Sequence, residues 1–152
     1  MTVNVNADSA DSSWKASRLL PYSPQDIFNA HQNPELLAKW WGPKGFTNTF
    51  ETFEFEVGGR WLFVMHGPNG TDYHNENVFR VLEPGKRLVI EHVPEPWFTL
   101  TIELTEQADG TLVSWTQTFE SPDVLQRLLG VIRPANEDNF DRLTTVLGGG
   151  TP

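Results

Sequence analysis

From Phe46 to Glu120 the chain reads as one strand after another, and only then does a long helix begin. That order limits the possible folds more than any other feature. Trp61, Phe63 and Met65 share one face of a strand over 60–66, while Phe98, Leu100, Ile102 and Leu104 alternate with Thr99, Thr101 and Glu103. Further strands are predicted over 46–57, 71–82, 87–93 and 111–120. Gly58-Gly59, Gly67-Pro68-Asn69-Gly70, Glu83-Pro84-Gly85-Lys86 and Ala108-Asp109-Gly110 supply the turns between them, and Pro94-Glu95-Pro96 interrupts the run. The step from Phe50 to Phe53 breaks the two-residue alternation, so a β-bulge is expected near Glu51-Thr52. Successive hairpins make the sheet antiparallel. Such a sheet must bury one face, and the only large element left to cover it lies at the C-terminus.

That element opens at Ser121-Pro122-Asp123 and stops at Gly148–Gly150. Leu125, Leu129, Ile132, Asn136, Phe140, Leu143 and Leu147 fall on one helical face. Pro134 lies inside it. Its ring would clash with the Gly130 carbonyl, which predicts a kink or a break. Ahead of the meander, Ser13 to Leu20 reads as a first strand. Ser23-Pro24 then caps a short helix over 24–31, and Asn33-Pro34 caps a second one carrying Leu36, Leu37, Trp40 and Trp41. Gly42-Pro43 ends it. His31 closes the first of these helices, where a cation would complement the helix dipole. A single domain is expected over 13–148, with a flexible tail at 1–12 and another at 149–152.

Composition narrows the function. The net charge is −9, and the 11 Lys and Arg residues are scattered rather than clustered, which argues against nucleic acid and anionic membranes as partners. Without cysteine there is no disulfide, no thiolate catalysis and no cysteine-rich zinc site. The N-terminus lacks the basic and apolar regions of a signal peptide, and no apolar run reaches membrane-spanning length, so a soluble cytoplasmic protein is the default. Six tryptophans and ten phenylalanines point to a thick aromatic core or an aromatic-lined cavity.

Several local motifs resemble the START-like, or SRPBCC, superfamily, and within it the family named for the C-terminal domain of the activator of heat-shock protein 90 ATPase. They are Ser23-Pro24 through Ile27-Phe28-Asn29-Ala30, Asn33-Pro34-Glu35 to Trp40-Trp41-Gly42-Pro43, and Glu54-Phe55-Glu56-Val57-Gly58-Gly59-Arg60-Trp61. Met65-His66-Gly67-Pro68-Asn69-Gly70, Pro84-Gly85-Lys86-Arg87-Leu88 and Gly110-Thr111 complete the set. The likeness covers about residues 14–147. It departs at His74-Asn75-Glu76-Asn77, which lacks the usual glycine, and at Phe140, where a Gly-Trp pair is expected. The resemblance implies an α+β helix-grip fold, that of the major birch-pollen allergen. A curved antiparallel sheet of about seven strands wraps a long C-terminal helix, and two short helices lie between strands one and two. It also implies a cavity between sheet and helix for an apolar or amphipathic small molecule, with no cofactor.

The expected cavity wall has aromatic and aliphatic members: Trp40, Trp61, Phe63, Met65, Tyr73 and Ile90, then Trp97, Trp115, Ile132 and Phe140. Its polar members are His92, Gln117 and Asn136, which fall on inward faces by alternation or helical spacing. These three would contact a ligand, or would hydrogen-bond one another or water. Trp40 is expected near the open end, with Trp41 bracing the sheet. Trp97, at a loop-to-strand junction, would line the mouth or form a dimer contact.

No catalytic residue is assignable, because there is no Gly-x-Ser-x-Gly, phosphate loop or distinct carboxylate pair. His74 and Glu76 share a face but lack a third ligand, so no metal site is expected. His66 falls on the face opposite Trp61. Binding of an apolar small molecule is the first reading. A polyketide cyclase- or dehydrase-like enzyme with His92 as proton carrier is the second. A co-chaperone-type protein-interaction module using the outer sheet face is the third.

Overall fold

The computed structural model describes residues 12–150. The expected tail at 1–12 falls outside these residues apart from Ser12, and so do the last two residues of the tail at 149–152. The elements run β1 Ser13–Leu20, α1 Pro24–Gln32, α2 Pro34–Trp40, β2 Thr47–Phe53, β3 Arg60–His66, β4 Asp72–Glu83, β5 Arg87–His92, β6 Phe98–Gln107, β7 Gly110–Phe119 and α3 Pro122–Leu147. All seven strands form one antiparallel sheet in the order β1-β7-β6-β5-β4-β3-β2. This is the expected helix-grip arrangement: a curved sheet, a long C-terminal helix and two short helices between the first two strands.

The helix starts lie where the sequence puts them. Ser23, Asn33 and Ser121 each accept a backbone N–H of the first turn through the side chain, and each is followed by proline. The bulge falls between Phe50 and Thr52. It turns Phe50 and Phe53 to the same side, so their rings stack 5.6 Å apart and both meet Trp61 edge-on. A second shift, between Phe79 and Val81 in β4, has no counterpart in the sequence reading.

Two expectations need correction. α3 runs on through Pro134, so the helix does not break there. Gly130 and Pro134 are both exposed, so water can take the hydrogen bond that proline cannot give to the Gly130 carbonyl. His31 is no surface cation. It is 2 % exposed, its Nδ1 sits 2.8 Å from the Ile27 carbonyl, and burial pushes its pKa down to about 4.

The core has two parts. The main cluster joins the two short helices, the sheet and the C-terminal half of α3 through Trp40, Trp61, Phe79, Trp115, Phe140 and Leu143. A smaller cluster of Phe119, Val124, Leu125 and Ile132 sits under the N-terminal half of α3. One tie links α3 to the turn after α2. Arg142 donates to the carbonyls of Gly42 (2.8 Å), Pro43 (2.9 Å), Lys39 (2.8 Å), Phe46 (2.9 Å) and Trp41 (3.3 Å). Asn139 Oδ1 accepts the Gly42 N–H at 2.8 Å. Gly42 has φ +102°, and a Cβ there would fall 2.6 Å from Met65 Cε. Only glycine fits that turn.

Candidate functional site

A groove of about 410 Å³ lies between the concave sheet face and α3. A chamber of about 200 Å³ continues it beneath the middle of the helix. The two share Trp41, Met65, Phe98, Leu100, Gln117 and Ile132 in their walls, so they form one space. β3 supplies Phe63 and Met65, β5 supplies Ile90 and His92, and β6 supplies Phe98 and Leu100, each pair by strand alternation. Tyr73, 46 % exposed, and Val131, 64 % exposed, stand at the rim.

The polar residues of this wall are the telling ones. Asn77, Gln117 and Asn136 are 3 %, 9 % and 3 % exposed. Asn77 Oδ1, Gln117 Oε1, Asn136 Nδ2 and the Trp115 indole Nε1 are buried and have no hydrogen-bond partner among the described residues. The carboxamides therefore do not pair with one another as a closed network. Each orphan costs about 1–3 kcal/mol unless something fills the space and bonds to it.

His92 is differently placed. Its Nδ1 is 2.9 Å from the Pro96 carbonyl and its Nε2 is 3.0 Å from Asn75 Oδ1, with the ring stacked on Phe98 at 4.6 Å. Burial lowers its pKa, against the pull of the Pro96 and Pro94 carbonyls. Among the described residues, no carboxylate bonds to the ring.

The family described as Activator of Hsp90 ATPase homolog 1-like protein matches residues 21–148. The chain belongs to this family. Solved structures share its fold at low identity. A crystal structure of a Nitrosomonas europaea protein is 21 % identical with a TM-score of 0.84, covering 92 % of this chain and 96 % of that one. A solution structure of an Arthrobacter aurescens protein is 24 % identical with a TM-score of 0.84, covering 98 % and 93 %. An AHSA1-like protein from Aeromonas hydrophila is 16 % identical with a TM-score of 0.71, covering 90 % and 92 %. At these identities the likeness establishes the fold and nothing finer. No curated protein matches the chain.

In this member of the Activator of Hsp90 ATPase homolog 1-like family, the groove brings together nine of the expected wall residues. Phe63, Met65, Tyr73, Ile90 and His92 line its sheet side, and Trp115, Gln117, Ile132 and Asn136 its inner end. Four others lie elsewhere. Trp40 is fully buried in the core, its Nε1 donating to the Ala30 carbonyl at 3.0 Å. Trp41 takes the groove position instead. The helix ends at Trp40 and Trp41 is already extended (φ −70°, ψ 130°), and the two rings meet edge to face with centroids 5.5 Å apart, Trp40 on the core side and Trp41 in the groove wall. Trp61 is sealed in the core, stacked on Phe63 at 4.4 Å and on Phe79 at 5.9 Å. Phe140 is fully buried behind Trp115, ring centroids 5.5 Å apart.

Trp97 is absent from the groove. Its Nε1 donates to Glu91 Oε2 at 2.8 Å, and that bond, then Arg80, holds the Glu91 carboxyl below its ordinary pKa. Alternation alone explains it, since Phe98 points inward. Asn77, which shares a strand face with Phe79, and Asn139, one turn beyond Asn136, also stand in this wall outside the expected set, and the spacing carries a signal for both.

His66 is half-exposed, with Nε2 2.8 Å from Thr49 Oγ1 and Nδ1 2.7 Å from Asp72 Oδ1. This row lies across three strands and borders none of the hollows described here, so it ties the hairpin ends together. Among the described residues no group of His, Asp and Glu is placed to hold a metal ion.

Proposed function

We propose that the protein binds a small apolar or amphipathic molecule in the groove between sheet and α3. The observation that carries this is an aromatic and aliphatic space of about 410 Å³ with unpartnered, buried carboxamides in its wall. Ligand sites in proteins span roughly 300–1,000 Å³ and combine an apolar lining with a few convergent polar groups. A core built only for stability would place leucine or methionine at Gln117 and Asn136.

The enzyme reading has less support, because His92 is held by a carbonyl and an amide and lacks a carboxylate partner to tune it. The interaction-module reading also has less. Among the described residues, the exposed large apolar ones are Leu19, Val57, Tyr73, Val93 and Val131, and two of these five stand at the groove rim. A thermal-shift and native mass-spectrometry screen with neutral aromatic compounds tests the proposal. A compound at a hundred times its Kd should add about 2.7 kcal/mol, raising Tm by roughly 8 °C. If no such compound shifts Tm or is retained in the spectrometer, the binding reading fails.

A further inference from the structure

The chamber under the middle of α3 gathers three of the eight buried side-chain nitrogen and oxygen atoms that have no partner among the described residues. Gln117 and Asn136 line it, and neither carboxamide makes a side-chain hydrogen bond to any described residue. The Trp115 indole N–H, also in this wall, is buried and unpartnered too. The chamber therefore offers donors and acceptors together. Around them are Trp41, Met65, Phe98, Leu100 and Ile132.

Charge is absent from the same space. Among the described residues, no Asp, Glu, Lys, Arg or His lines the chamber. The titratable groups of the outer groove, Tyr73, His74, His92 and Glu95, come from β4, the end of β5 and the loop that follows it. A carboxylate or ammonium drawn into the chamber would lose its water and find no charged side chain in the wall, since the Arg142 guanidinium is already engaged by the Trp41, Gly42 and Pro43 carbonyls. A purely apolar molecule would leave the carboxamides as they are.

We infer that the groove selects an uncharged ligand that carries both a hydrogen-bond donor and an acceptor, such as a carboxamide or an alcohol, on a flat apolar body, with the polar group seated between Gln117 and Asn136. This rests on the groove-binding reading above. The body lies outward between Trp41 and Phe98, and the polar group satisfies the orphaned carboxamides and the Trp115 N–H. The two carboxamides are positioned by rigid elements. Gln117 sits within the β6–β7 ladder opposite Leu100, and Asn136 lies in the third helix one turn before the Asn139 tie.

Calorimetric titration at pH 8 with 2-naphthamide, 2-naphthol, 2-naphthoate and naphthalene tests this. The amide and the alcohol should bind at least ten-fold tighter than the carboxylate. Gln117→Leu/Asn136→Leu should lose that preference, still bind naphthalene, and melt no lower than the wild type. Single Gln117→Met and Asn136→Met variants give the same readout should the double variant not fold. If naphthoate binds as tightly as naphthamide, or the variants keep the preference, the inference is overturned while groove binding stands. Single variants that melt well below the wild type would show the carboxamides to be structural and would overturn it too. If none of the four compounds binds, the groove reading fails and takes the inference with it.

Discussion

At the scale of single residues, the clearest consequence concerns His31. Its pKa in the folded protein is about 4, against 6.5 for a free side chain, because it is fully buried. The unfolded chain therefore takes up a proton that the folded one refuses. Stability is fully present above about pH 6.5 and falls as the pH drops toward 4, by about 3 kcal/mol at the low end. His92 is also lowered by burial and acts in the same direction. Urea denaturation from pH 7 to pH 4 should show the loss, and His31→Leu should flatten much of it. An unchanged slope in the variant would remove His31 from the account. The paired tryptophans separate in a second measurement. Trp40→Ala should cost about 3–5 kcal/mol as a core truncation. Trp41→Ala should cost less stability and more ligand affinity, since that ring walls the groove.

At the scale of elements, the turn from Lys39 to Phe46 depends on α3. Five carbonyls of that turn share the Arg142 guanidinium. Arg142→Ala should destabilise by about 3 kcal/mol, and Arg142→Lys should restore little, because an ammonium has three donors and no planar fork. Chemical denaturation of both variants reads this directly. Pro134 makes the opposite prediction. Pro134→Ala returns a donor to the Gly130 carbonyl on an exposed helical face and should stabilise by about 2 kcal/mol.

These elements also show what a sequence makes legible. Caps, turns and alternation are local, so β3 at 60–66 and the bulge at Phe50–Thr52 could be read from spacing. Whether Pro134 breaks its helix could not, because that depends on which side of α3 faces water. Trp40 and Trp41 could not be told apart either, since a one-residue difference in where α2 ends exchanges their roles.

At the scale of the whole molecule, the fold follows from one constraint. A seven-stranded antiparallel sheet needs a cover, and α3 is the only long helix among the described residues. The helix fills the concave face completely only at its C-terminal half, where Phe140 and Leu143 meet Trp115 and the short helices. Toward its N-terminus a second, smaller cluster takes over, and the groove opens between the two. Gln117 and Asn136 could be read as inward-facing polar residues from spacing alone. Their lack of partners could not, because hydrogen-bond satisfaction is a property of three-dimensional neighbours.

The most direct test of the groove as the binding site is a ¹H–¹⁵N NMR titration of the protein with 2-naphthamide. The account predicts that the Trp41 and Trp115 indole N–H signals and the Asn77, Gln117 and Asn136 side-chain amides shift together. The Trp40 and Trp97 indoles, bonded to Ala30 and Glu91, should stay in place. Shifts confined to Lys39, Lys44 and Asn48, which line a separate hollow of about 490 Å³ beside the Arg142 tie, or no shifts at all, would contradict it.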